Sequence, residues 1–173
     1  MLAQATSATP AGINARAVRI DVDVPPEGTS RVPPEGDKQA SMGMRILGLA
    51  DASLRETRYR VQSAIKAAGF DLPPRVVTVR LDPPDFCASA GLFDLPIALA
   101  LLAALGEVPD DALEGRLLIG ELGLGGHVRP VRGARIVAAL AAQEGIRAAS
   151  GSATNAGEAA LADVPAIGVR TLE

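Results

Sequence analysis

GRLLIGELGLGGHVRPVRGAR, residues Gly115–Arg135, decides how this chain is read, together with SAGLFDLPIALALLAALG, residues Ser89–Gly106. In the first stretch two short apolar runs, Leu117–Ile119 and Val128–Val131, flank Gly123, Gly125 and Gly126. Glycine tolerates positive φ, so the pattern predicts a tight β-hairpin. A helix is expected to open near Pro130–Gly133 and to run from about Arg132 to Glu144. In the second stretch a loop feeds an apolar helix, expected over Phe93–Leu105 and ended by Gly106.

Outward from these segments, Val18, Ile20, Val22 and Val24 alternate with Arg19, Asp21 and Asp23, the period of a half-buried strand. A weaker strand precedes it over residues 1–11. Pro25–Ser41 (PPEGTSRVPPEGDKQAS) holds four prolines and repeats PPEG, which predicts a long surface loop. Met42–Leu47 is expected as a short strand. Asp51 or Ser53 is expected to cap a helix to about Ala68, Glu56 completing a capping-box pattern with Ser53, with Leu54, Val61, Ala64, Ile65 and Ala68 on its apolar face. Further strands are expected at Val76–Leu81, Arg147–Ala149 and Ala166–Val169, and a helix at Asn155–Leu161. Strands and helices mix without strict alternation, so the fold class is α+β, a mostly antiparallel sheet with helices on one face.

The chain has 173 residues, 48% apolar and 21% charged, which fits a single globular domain spanning 1–173. Aromatics make up only 2%, so the core is aliphatic and base-stacking platforms are scarce. The net charge of −3 gives no overall pull toward nucleic acid. Cys87 is the only cysteine, which excludes an intrachain disulfide, and with His127 as the only histidine a zinc site lacks ligands. The N-terminus lacks a signal-peptide pattern and the longest apolar run, Leu95–Leu105, is too short to span a membrane. A cytoplasmic location is expected.

Nucleotide motifs are absent from the sequence. No G-x-x-x-x-G-K-[ST] occurs, and neither Lys38 nor Lys66, the two lysines, follows phosphate-cradling glycines. GLGGHV at Gly123 has the wrong spacing for a dinucleotide fingerprint, and a hairpin rather than a helix follows it.

The chain resembles the Lon protease domain and, more closely, the amino-terminal domain of the magnesium-chelatase-like AAA+ proteins of the ComM/YifB type. The likeness covers the whole chain and is most specific in FDLPIALALLAALG and GELGLGGHVRPVRG, while the Pro25–Ser41 loop departs from it. It implies a Lon-protease-like fold, also described as ribosomal-protein-domain-2-like. It also implies a downstream AAA+ ATPase module, absent from this chain, that would bind ATP and Mg²⁺ and drive assembly of a homo-oligomeric ring. No cofactor or metal is expected in this domain itself.

Lon-type peptidases use a serine nucleophile and a lysine base whose pKa burial depresses. Aligned back from Gly106 without gaps, the nucleophile position falls on Gly91; Ser89 lies two residues away and is the remaining catalytic candidate. The base position falls on Arg135, and a guanidinium keeps its proton at any usable pH. His127 is expected as a solvent-facing strand residue, Cys87 as a loop or core residue, and Asp94 and Glu121 as makers of structural bonds. Arg55, Arg58, Arg60 and Lys66 form a basic group on one helix and Arg129, Arg132 and Arg135 a second after the hairpin; of these Arg55, Arg58, Arg129, Arg132 and Arg135 are candidate contacts to DNA or a partner. Three functions follow: a non-catalytic accessory domain of an AAA+ ATPase used in recombination or transformation, a serine peptidase using Ser89, or a nucleic-acid-binding module.

Overall fold

Two long strands, β1 (Leu2–Ala11) and β2 (Asn14–Asp23), open the computed structural model, which describes residues 1–28, 43–84 and 90–173. The strands pair antiparallel along their whole length, from Leu2 opposite Asp23 to Ala11 opposite Asn14. The alternation seen in the sequence buries Val18, Ile20 and Val22 and leaves Arg19 exposed. Beyond Gly28 most of the Pro25–Ser41 loop, and Met42, lie outside the described residues.

The chain continues as β3 (Met44–Leu47), α1 (Asp51–Ala67) and β4 (Val77–Asp82). A short 3₁₀ turn, Ala90–Phe93, leads into α2 (Asp94–Ala104), in which every residue except Leu99 is buried. A helix apolar all round belongs inside a core. Then follow β5 (Arg116–Leu118), β6 (Glu121–Leu122), β7 (Val128–Arg129), α3 (Ala134–Gln143), β8 (Ala148–Ser152), α4 (Ala153–Ala159) and β9 (Ala166–Val169). The main sheet has seven strands in the order β3-β4-β2-β1-β5-β8-β9, and β6-β7 is a separate pair.

The architecture is α+β, but the sheet is mixed rather than mostly antiparallel. Its parallel neighbours are β3–β4, β1–β5, β5–β8 and β8–β9, against antiparallel β1–β2 and β2–β4. The reason is connectivity. Helix α1 lies between β3 and β4, α3 between β5 and β8, and α4 between β8 and β9, and each crossover returns the chain to the same end of the sheet. The helices are also not confined to one face. They pack in two pairs, α1 with α2 and α3 with α4. Three successive residues of β1, Ser7, Ala8 and Thr9, are buried, which requires cover on both sides of the sheet at that end.

Three local expectations need correction. Leu117 and Leu118 belong to the main sheet, so the hairpin arms are Glu121–Leu122 and Val128–Arg129. Helix α1 begins at Asp51 behind Ala50 with no side-chain cap, which puts Ser53 and Glu56 inside the helix rather than at its start. Helix α3 begins at Ala134, after Gly133 in the left-handed region at φ 84°.

Candidate functional site

The two opening segments are fastened to each other. Gly120 N–H donates to the Leu92 carbonyl at 3.0 Å, and Leu95 N–H donates back to the Gly120 carbonyl at 2.9 Å. Leu122 N–H donates to Asp94 Oδ2 at 3.1 Å. These bonds lay β6 against the start of α2. Asp94, the first residue of that helix, is completely buried. Its carboxylate also receives a fork from Arg60 of α1, with Nε–H on Oδ2 at 2.6 Å and Nη2–H on Oδ1 at 3.2 Å. One carboxylate therefore joins α1, α2 and the hairpin.

The electrostatics of this junction oppose each other. Burial pushes the Asp94 carboxyl up from 3.8 to about 6, while the Arg60 bond and charge and the Leu122 N–H pull it down. Burial works against the Arg60 charge too, but its bonds to Asp94 outweigh that and the guanidinium titrates above its usual value.

Beside the junction is an open cleft of about 590 Å³ between Pro10 at the end of β1, Gly91 and Leu92, Glu121, and the Pro130–Gly133 turn. Glu121 closes over Gly91: a β-carbon placed there would lie 2.5 Å from Glu121 Oε2 and 3.2 Å from its Cδ and Cγ. The other carboxylate oxygen pairs with Arg129 at 3.4 Å. The opposite wall is held by Asn155 of α4, whose Oδ1 accepts Val131 N–H at 2.8 Å and whose Nδ2 donates to the Val131 carbonyl at 3.0 Å. Gly133 has no room for a side chain, since a β-carbon would meet Pro10 Cγ at 2.6 Å.

The glycine run is not a phosphate cradle. Gly123 N–H donates to the His127 carbonyl and Gly126 N–H to the Gly123 carbonyl, so these donors are spent inside the turn. His127 is exposed and bridges to Thr171 on the far side of β7 from β6. Cys87 and Ser89 lie outside the described residues.

The sequence profile of the family described as subunit ChlI of Mg-chelatase matches residues 36–155. The chain belongs to this family. Within it the chain is a ComM/YifB-type domain: it is 37% identical over 123 residues to YifB of Salmonella typhimurium (71% of this chain, 22% of that protein) and 39% identical over 119 residues to the competence protein ComM of Haemophilus influenzae (69% and 23%). It is also 36% identical over 172 residues to the uncharacterized protein Rv2897c of Mycobacterium tuberculosis, covering 99% of this chain and 32% of that protein. The chain spans about a third of these relatives' length or less.

The ComM/YifB-type domain distributes the singled-out arginines unevenly. Arg132 lines the cleft and is exposed; Arg129 is paired with Glu121. Arg135 is exposed on α3, its N–H directed to Glu158 Oε1 at 3.4 Å, and is not among the described residues lining the cleft. Arg55 is exposed, but Arg58 is only 3% exposed and so presents no open cationic surface. Two residues hold the site together: Arg60, which the sequence reading placed in a basic group rather than in a structural ion pair, and Asn155, which it gave no site role. A signal for Arg60 was available: it stands three residues after buried Thr57 and four before buried Ala64, on the inward stripe of α1. For Asn155 the sequence carried none.

Proposed function

We propose that this domain is a non-catalytic accessory part of a longer, cytoplasmic AAA+ ATPase of the ComM/YifB type, supporting ring assembly or DNA handling. The observation that carries the reading is the contact between Gly91 and Glu121: the position aligned with a Lon-type nucleophile has no side chain, and Glu121 lies over it, so a β-carbon there would have to displace the Glu121 side chain. Among the described residues no lysine lines the same cleft. Lys66 is exposed on α1 and Lys38 lies outside the described residues, while Arg132 and the Glu121–Arg129 pair supply the charge near the turn. ATP and Mg²⁺ would bind elsewhere in the longer protein. Use in recombination or transformation rests on the printed name of the Haemophilus relative, a competence protein. An autonomous nucleic-acid module has less support, because Arg58 is buried and Arg129 is neutralised by Glu121.

The test compares the full-length protein with a form lacking residues 1–173. Oligomer mass with an ATP analogue and ATP hydrolysis on forked DNA are measured for both. Loss of assembly or of DNA-stimulated hydrolysis in the shortened form is expected. Unchanged assembly and unchanged DNA stimulation would contradict the accessory role.

A further inference from the structure

The small sheet that carries Glu121 is completed by a segment far away in sequence. After β9 the chain leaves the main sheet and runs beside β7: Val128 N–H donates to the Arg170 carbonyl at 2.9 Å, and Leu172 N–H donates to the Gly126 carbonyl at 3.1 Å. Between these bonds Thr171 stands opposite His127 in an antiparallel bridge. Leu172 is buried at 9% exposure, so the segment is anchored by its side chain as well as its backbone.

The hairpin takes backbone bonds on its β7 side from this segment, beside the burial of Leu122 and Val128 and the Asn155 bonds to Val131. Strands β6 and β7 pair over only two residues each, Glu121 with Arg129 and Leu122 with Val128. A two-stranded ribbon of that length has no stability of its own. The β6 arm is fixed to α2 through Gly120 and Asp94. Outside the hairpin and the turn that follows it, the backbone bonds of the Gly126–Val128 arm run to Arg170 and Leu172. Through the Glu121–Arg129 pair, that arm also steadies the carboxylate that closes over Gly91.

We propose that Arg170–Leu172 is a conformational strap, which holds the β7 arm and thereby sets the position of Glu121 and the shape of the cleft beside Gly91. Displacing the strap loosens the entire hairpin, including bonds the strap does not touch. The cleft is then governed from the end of β9 rather than only by its own walls. This holds whether or not the domain serves an ATPase.

Hydrogen exchange of single amides, read by NMR on the full chain with Leu172→Pro, tests it, since proline removes the donor to Gly126. Faster exchange at Val128 alone is a trivial consequence of losing Arg170. The strap requires more: exchange at Gly123 and Leu122, whose partners are His127 and Asp94, should rise at least tenfold while Ile20 and Val22 in β2 stay protected. Unchanged rates at Gly123 and Leu122 would overturn the proposal. If Leu172→Pro also unprotects β2, Leu172→Ala decides, because it keeps the N–H and removes only the anchor. A rise of at least threefold at Gly123 supports the strap, and none refutes it.

Discussion

Replacing Gly91 by alanine adds one carbon at the centre of the cleft, and its effect can be worked from the contacts there. The new Cβ would stand 2.5 Å from Glu121 Oε2 and 3.2 Å from Cδ and Cγ. Turning the carboxylate tip alone does not relieve the contacts with Cδ and Cγ, so the Glu121 side chain has to shift as a whole, off its present χ angles. That gives up the pairing with Arg129, which at half-exposed groups is worth about 0–1 kcal/mol, and forces a rotamer shift of about 0.5–1.5 kcal/mol. Gly91→Ala should therefore cost about 1–2 kcal/mol in urea unfolding. In a Glu121→Ala background the obstruction is gone. There the same substitution should be neutral or stabilising by about 0.4–1 kcal/mol, because alanine restricts the unfolded chain and Gly91 does not use positive φ. The expected signature is a coupling of about 1–3 kcal/mol in the double-mutant cycle. If Gly91→Ala is neutral alone, or if the two substitutions add, Glu121 does not close this position and the argument against a side chain there fails.

Asp94 supplies a prediction in pH. Its carboxyl is raised in the fold, so the stability it contributes is greatest below its ordinary value of 3.8 and is lost as pH rises through about 6. That shift corresponds to about 3 kcal/mol. The stability difference between the unchanged protein and Asp94→Asn should therefore swing toward the unchanged protein by about 2 kcal/mol on going from pH 7 to pH 4, by urea titration at each pH; a constant difference would show that burial does not dominate at Asp94. Asn155→Ala should cost about 2–3 kcal/mol, since it strands both the N–H and the carbonyl of Val131 in a partly buried turn. A loss under about 0.5 kcal/mol would mean the turn is held by other contacts.

The strands were legible where alternation was clean. Val18, Ile20 and Val22 are buried as their spacing demanded, and β9 falls on the expected residues. The parallel order of most of the sheet was not legible, because short strands such as β5 and β8 look the same whichever way their neighbours run; β8, AASGS, is small residues buried throughout. The hairpin was found but displaced, since Leu117 and Leu118 are as apolar as a hairpin arm and the sequence does not say that β1 and β8 claim them. At the site, Asp94 and Glu121 carried a signal as acids in otherwise apolar runs, and Asp94 does make structural bonds. Their partners are 34 and 8 residues away, Arg60 and Arg129, and pairing over such distances is set by packing rather than local pattern.

The central proposal, that this domain has no peptidase activity, is tested most directly at Ser89. The full-length protein is treated with a fluorophosphonate probe and digested, and the peptide containing Ser89 is read by mass spectrometry beside Ser89→Ala. No adduct at Ser89 is the expected result. A stoichiometric adduct there, abolished by Ser89→Ala and competed by a peptide substrate, would contradict the account.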